Sequence, residues 1–303
     1  MKRFNKILAV LTLQENDASV LRWAALLATH AHSSKVHCLL SWQSADVPES
    51  IGRNHPWLLE PNEAARHIHI SKMVAAELKL PLSCTTQVDV RQGNPLSDAL
   101  AEAAAGEYDL ILVARNPADS SLAEKLARKA PCSVLAVPPD GRAECRSILA
   151  AVDFSTYSRA AVDVAAAIAL ATGASLTLFH VFRFDWGHQR ALGVGDQLAA
   201  DLRAYYIGEL ARLSVELAAL GVNAGTRVAP GTLPAHGIAN AATEGSVDLV
   251  VIGCRGHHAI YATLLGSTAE SILRHSAKPV LAVKAKGTTL GPGWFASAIS
   301  KSH

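Results

Sequence analysis

The sequence predicts an α/β protein built as two tandem, doubly wound domains, each formed around a five-stranded parallel sheet. Three observations carry that prediction. The chain has 303 residues, enough for two domains of ordinary size. Short runs of Val, Ile, Leu and Ala alternate with alanine-rich helical patterns. The order of these segments then repeats, so that the second half of the chain retraces the first.

The elements follow in order. Lys6-Ile7-Leu8-Ala9-Val10-Leu11 lines up with Ser147-Ile148-Leu149-Ala150-Ala151-Val152, and both runs are of the buried-strand type. A helix follows each. In the second copy it is predicted from about Thr156 to Thr172, with Ala161, Val164, Ala165 and Ile168 on one face. Ser155 is its expected N-cap and Gly173 its expected stop. The next strands are Lys35–Leu40 and Ser175–Val181. Val88–Gly93 then resembles Thr226–Gly231, and alanine-rich helices follow over Leu96–Ala105 and Pro234–Thr243. Tyr108–Val113 matches Val247–Ile252, and the closing strands are Ser133–Val137 and Pro279–Val283. Each half therefore alternates strand and helix from a first strand to a fifth. Continuous apolar strands in such an alternation imply a parallel sheet with helices on both faces, and right-handed crossovers make it doubly wound. The expected domains are 1–140 and 146–287, joined through Pro138-Pro139-Asp140-Gly141-Arg142, with 288–303 as a flexible tail.

Composition narrows the function classes. The net charge is only +2, from 28 basic and 26 acidic residues, so nothing points to nucleic acid or a membrane surface as partner. No apolar run reaches the roughly 18 residues of a membrane-spanning helix. The basic start, Met1 to Lys6, leads into a run that stops at Gln14-Glu15-Asn16-Asp17 without a cleavage site, and reads as a first strand rather than a signal peptide. The five cysteines are odd in number, widely spaced and without a C-x-x-C pair, which suits a reduced, cytoplasmic protein.

One loop carries chemistry. After the fourth strand of the second half stands Gly253-Cys254-Arg255-Gly256, and nine residues later Gly266-Ser267 opens a helix with Thr268. The spacing is G-x2-G-x9-G-[ST]. Glycines let backbone approach a ligand closely, and the amides and dipole of a helix start favour an anion. Ser267 and Thr268 add hydroxyls. The loop follows a parallel strand at its carboxyl end, where ligands bind in open α/β sheets. It is neither a Walker P-loop nor a G-x-G-x-x-G fingerprint. The bland alternative is a long connection with turn glycines and a capped helix, because Ser267 and Glu270 have capping-box spacing.

The second half resembles the ATP-binding type of the universal stress protein family. The resemblance rests on Ala151-Val152-Asp153-Phe154-Ser155, on Phe179-His180-Val181, on Val247 to Gly253, on the glycine loop and on Lys278 to Val283, together covering about 146–286. It implies a Rossmann-like fold of the adenine nucleotide alpha hydrolase kind and two tandem domains packed as an internal pseudo-dimer. By the same resemblance Gly253, Gly256, Gly266, Ser267 and Thr268 would hold ribose and phosphates. Asp153 would sit in the nucleotide cleft, and Val181 would contact adenine through its backbone. Ala151, Val152 and Ile252 complete the expected binding set, and Arg255 could aid phosphate neutralisation. The implied cofactor is ATP, or ADP or AMP, with Mg²⁺ possible but not demanded. The structural alternative for Asp153 is a helix cap.

The first half matches the family less well. Thr12 replaces the aspartate, Ala114-Arg115-Asn116-Pro117 stands where the first glycines belong, and the following connection is about seven residues shorter. No ATP is expected there; the half would take another ligand or serve as a structural partner. Cys254, His257 and His258 form a C-x2-H-H group, and His67 and His69 alternate with isoleucines, but neither set reaches a normal zinc complement, and no metal site is assigned. Arg183 and His257, like Arg255, could aid phosphate neutralisation, with a solvated side chain as the simpler reading of each, and His30 and His32 suit a helix C-terminus. No Ser/His/Asp or Cys/His arrangement can be assembled, so no catalytic residue is assigned. The expected function is a stress-response or signalling module that binds an adenine nucleotide and an unknown protein partner, with further homodimerisation open. The alternatives are a slow ATPase or another nucleotide-dependent enzyme such as a transferase, disfavoured by the lack of a general base, and a scaffold for a different small ligand.

Overall fold

A computed structural model of the chain describes residues 4–14, 16–43, 53, 63–116, 121–139, 141–184, 195–254 and 265–284. The first half contains β1 (Lys6–Leu11), α1 (Asp17–Ala31), β2 (Lys35–Trp42), α2 (Glu63–Glu77), β3 (Thr85–Gln92), α3 (Pro95–Ala105), β4 (Leu110–Ala114), α4 (Ser121–Lys129) and β5 (Ser133–Val137). The second contains β6 (Ser147–Ala151), α5 (Thr156–Thr172), β7 (Ser175–Arg183), α6 (Gly195–Ala218), β8 (Ala224–Gly231), α7 (Pro234–Glu244), β9 (Leu249–Gly253), α8 (Ser267–His275) and β10 (Val280–Val283).

Within each half all pairings are parallel and the strand orders are equivalent, β3-β2-β1-β4-β5 and β8-β7-β6-β9-β10. The expected five-stranded units are therefore present, but they do not remain separate sheets. β5 and β10 pair antiparallel and fuse them into one ten-stranded sheet, so each half supplies the other's missing edge partner.

Side-chain alternation divides the core between the two faces of this sheet. Ile7, Ala9 and Leu11 point to one face, where α1, α2, α5 and α6 pack through residues such as Leu21, Ile70, Val164 and Leu210. Leu8 and Val10 point to the other, beneath α3, α4, α7 and α8 with Ala103, Leu126, Ile238 and Ile272. Both layers run through both halves.

Local chemistry explains the boundaries. The Ser155 side chain accepts the Ser158 N–H at the start of α5, and Gly173 ends it in the left-handed region at φ 75°. The Asn94 side chain accepts from Leu96 and Ser97 at the start of α3, with Pro95 in the first turn. The aspartates that precede the fourth strands tie them to the first strands: Asp109 accepts the Lys6 N–H at 3.1 Å, and Asp248 accepts those of Arg146 and Ser147 at 2.8 and 3.1 Å. The linker region turns through a Gly141 N–H bond to Pro138. His32 closes α1 in the left-handed region, and no described helix is long and apolar enough to cross a membrane. The tail predicted for 288–303 lies outside the described residues.

Candidate functional site

In the second half the chain reverses its direction of winding between β6 and β9, the switch point of the strand order. The carboxyl ends of β6, β7 and β9 gather there, and with them the start of α8.

Ala151 ends β6 opposite Phe179, and Val152 follows it, buried, its N–H donating to the Phe179 carbonyl at 2.8 Å. Asp153 comes next and is half-buried. It does not cap α5, since that place belongs to Ser155. Asp153 Oδ1 instead accepts the Ser155 N–H at 3.0 Å and the Ser155 hydroxyl at 2.5 Å. Phe154 turns the chain at φ 62°, a conformation that side chains resist. Leu13, its equivalent in the first half, has φ 59°, so this bend belongs to the fold itself.

Val181 lies on β7 opposite Ala229, with its side chain wedged beneath α7. A Cβ on Gly237 would come within 2.9 Å of it, and one on Gly231 within 3.1 Å. Packing occupies that side chain, which leaves the backbone as the part of Val181 able to meet a ligand.

Ile252 is buried within β9, and Gly253 ends that strand against the first turn of α5. A Cβ there would lie 2.9 Å from the Tyr157 carbonyl group and 3.1 Å from the Ser158 nitrogen. Glycine is thus required by backbone-to-backbone approach. The Cys254 C=O accepts the Gly266 N–H at 2.9 Å. Arg255 and Gly256, with His257 and His258, lie outside the described residues.

At α8 the capping-box reading is corrected. Gly266, at φ −65° and ψ 144°, is the N-cap, and its carbonyl accepts the Glu270 N–H at 2.9 Å. Ser267 is consequently the first helical residue and cannot cap. Glu270 is also engaged elsewhere, with Arg128 at 3.1 Å and Arg274 at 3.5 Å. No side chain caps this helix start, in contrast to α3 and α5. The first amides of α8 therefore emerge beside the hydroxyl-bearing Ser267 and Thr268 with no intrahelical acceptor.

The first half shows what the same place becomes without the glycines. Asp17 and Thr12 stand where Ser158 and Asp153 stand in the second half, so hydroxyl and carboxylate have exchanged positions. The Asp17 carboxylate turns inward, fully buried, and accepts the Thr12 N–H at 2.9 and 3.2 Å. Burial raises its pKa, and the bonds from Thr12, Leu13 and Gln14 oppose that rise. Ala114 replaces Gly253, and α1 begins two residues later than α5 in equivalent terms. Arg115 replaces Cys254. It is buried and extends into the other half, donating to the Arg274 carbonyl at 2.9 Å and to the Ser276 carbonyl. Sequence spacing does not reveal Arg115, because its acceptors are backbone groups more than 150 residues away.

The family model for the universal stress protein family matches twice, over residues 3–138 and 144–284. Universal stress protein YxiE of Bacillus subtilis is 32% identical over 145 residues, 45% of this chain and 97% of that relative. Universal stress protein A homolog 1 of Coxiella burnetii is 29% identical over 142 residues, 46% of this chain and 95% of that relative. The fold resembles the crystal structure of a universal stress protein from Archaeoglobus fulgidus, with a TM-score of 0.65 at 21% identity, covering 93% of this chain and 99% of that one. With both halves matched by the family model, the chain belongs to the universal stress protein family, in tandem form.

Proposed function

We infer that the second domain binds ATP, or the related ADP or AMP, and that the chain acts as a nucleotide-dependent stress-response module. The observation that carries this reading is the convergence at one switch point of Asp153, the Val181 backbone, Gly253 and the uncapped start of α8. Ser267 and Thr268, with the first α8 amides, would receive phosphate oxygens. Asp153 would accept from a ribose hydroxyl, and the Val181 backbone would meet the base, with Ala151, Val152 and Ile252 forming the floor. Gly256 and Arg255 belong to the same proposal through their place in the loop sequence.

The domain division 1–140 and 146–287, and a cytoplasmic setting, form part of this reading. The five cysteines are unbridged and buried, which suits such a setting. The first domain, with Ala114 and Arg115 in place of the cradle, would serve packing rather than nucleotide binding.

Mass analysis of small molecules released on denaturing the purified protein tests the proposal, followed by ATP titration of the wild type and Gly266→Glu. That substitution places bulk and negative charge at the phosphate seat. Undiminished ATP affinity in a folded Gly266→Glu variant would sink the assignment.

A further inference from the structure

His180 lies within the apolar run of β7, yet its imidazole is buried and reaches sideways to the neighbouring strand. Its Nδ1 lies 2.7 Å from the Val152 carbonyl, so the neutral ring carries its proton there. The ring packs between Phe154 at 4.9 Å and Tyr206 at 4.3 Å, centroid to centroid. Its Nε2 is buried and has no hydrogen-bond partner. A buried orphan of this kind costs free energy, and a leucine at the site would avoid that cost.

The first half contains that leucine. Leu40 is equivalent to His180, and there the ladder between the first two strands continues through the pair Leu11↔Leu40. In the second half the ladder stops one pair earlier, at Ala151↔Phe179. The Val152 N–H still donates to Phe179, and strand alternation therefore turns the Val181 N–H toward the same side. The acceptor that would extend the ladder to Val181 is the Val152 carbonyl, and the imidazole holds it.

We propose that His180 is a positioning residue for base recognition: by holding the Val152 carbonyl it ends the β6–β7 ladder early and leaves the Val181 N–H to an acceptor nitrogen of a purine ring. This inference rests on the nucleotide reading above and assigns a task to a residue outside the expected site. The ligand class it selects is a purine that presents a ring acceptor beside an exocyclic amino group. A backbone N–H and C=O on one strand residue match that acceptor–donor pair, whereas a 6-oxo purine presents the opposite pattern.

The test compares ATP and GTP binding to the wild type, His180→Leu and His180→Asn by calorimetric titration, with unfolding midpoints measured alongside. Asparagine carries an amide nitrogen at the same reach as Nδ1 and should keep both affinity and base preference. Leucine should keep the fold, weaken ATP by about tenfold, the effect of one hydrogen bond, and reduce the preference for ATP over GTP. A purely structural role would weaken both nucleotides alike. Equal ATP affinity and equal base preference in folded His180→Leu would overturn the inference and leave the nucleotide reading standing. A wild type that binds neither nucleotide would remove both. Amide exchange of the wild type tests the same bond without any variant. The Val181 N–H should exchange faster than that of Ser41 until ATP is added; equal protection beforehand would also overturn the proposal.

Discussion

Leu135 and Leu281 hold the same place in the two halves, and they pair with each other across the β5–β10 junction. A pseudo-twofold axis therefore passes through the centre of the sheet, and contacts around it recur in reciprocal form. Arg274 bonds Glu124 at 2.6 and 3.0 Å, and Arg128, the equivalent of Arg274, meets Glu270, the equivalent of Glu124, at 3.1 Å. This is the pattern of an isologous dimer interface joined into one chain. Arg274→Glu should lower the unfolding temperature by placing two carboxylates together, and adding Glu124→Arg should recover part of the loss. Failure of the second change to recover anything would argue that the pair has no pairwise role.

The ends of α4 and α8 obey the same symmetry by different means. Arg115 donates to the Arg274 and Ser276 carbonyls at the end of α8, while Lys284 donates to the equivalent carbonyls of Arg128 and Ala130 at the end of α4. Cations complement both helix C-termini, but they come from non-equivalent positions. Arg115→Ala should cost about 1.5–3 kcal/mol in urea unfolding, the range for hydrogen bonds to a charged group. Arg115→Lys should recover little, since an ammonium lacks the fork that spans two carbonyls.

Gly253→Ala provides a test of the close approach at β9. The new methyl would meet backbone of Tyr157 and Ser158 at 2.9–3.1 Å, and backbone cannot rotate away as a side chain can. In the first half, where Ala114 takes this place, α1 begins two residues later in equivalent terms, whereas α5 starts at its Ser155 cap. The expected loss is about 1–3 kcal/mol of stability, the usual cost of overpacking, with weaker nucleotide binding. An unchanged urea midpoint would show that α5 shifts freely.

Thiol reactivity follows from burial. All five cysteines are buried, and desolvation pushes Cys38 up to about 12 and Cys145 up to about 11. Thiolate is the reacting species, so an aromatic disulfide reagent should react slowly with the native chain at pH 8 and rapidly with five thiols after denaturation. A fast native thiol would contradict this, and Cys254, buried beside the glycine loop, would be the first residue to check.

Much of the fold was legible because apolar periodicity and end signals agree: Ser155 and Gly173 mark the ends of α5 where the structure has them. The fused sheet was not legible, since β5 and β10 carry the same apolar pattern as the interior strands and nothing local names their partner. The capping box failed because the helix already begins at Ser267 with Gly266 as its N-cap, and Glu270 is turned to Arg128 across the interface. The exchange of Asp153 and Ser158 for Thr12 and Asp17 was half legible. The missing aspartate shows in sequence, but an aspartate in the first turn of a helix reads as ordinary dipole compensation, not as a buried anchor.

Two histidines predict how stability responds to acid. His37 lies between β2, β3 and α3, with Tyr108 O at 2.7 Å from Nδ1, Asp89 at 3.0 Å from Nε2 and Glu102 at 3.3 Å from Nδ1. Burial lowers its pKa below the usual 6.5, against the opposing pull of Asp89 and Glu102. Burial likewise lowers that of His180, against its bond to Val152 and the charge of Asp153. When a folded-state pKa lies below the unfolded value, the unfolded chain binds the proton first. The stability contribution is therefore intact above pH 6.5 and is lost as pH falls through the window below it. The urea midpoint should drop between pH 7.5 and pH 5.5, and combining His37→Gln with His180→Leu should flatten that dependence. A double variant as acid-sensitive as the wild type would place the titrating groups elsewhere. Asp17, whose pKa burial raises, acts in the opposite sense: the folded carboxyl binds its proton above the unfolded value of 3.8, so further acidification offsets part of the loss.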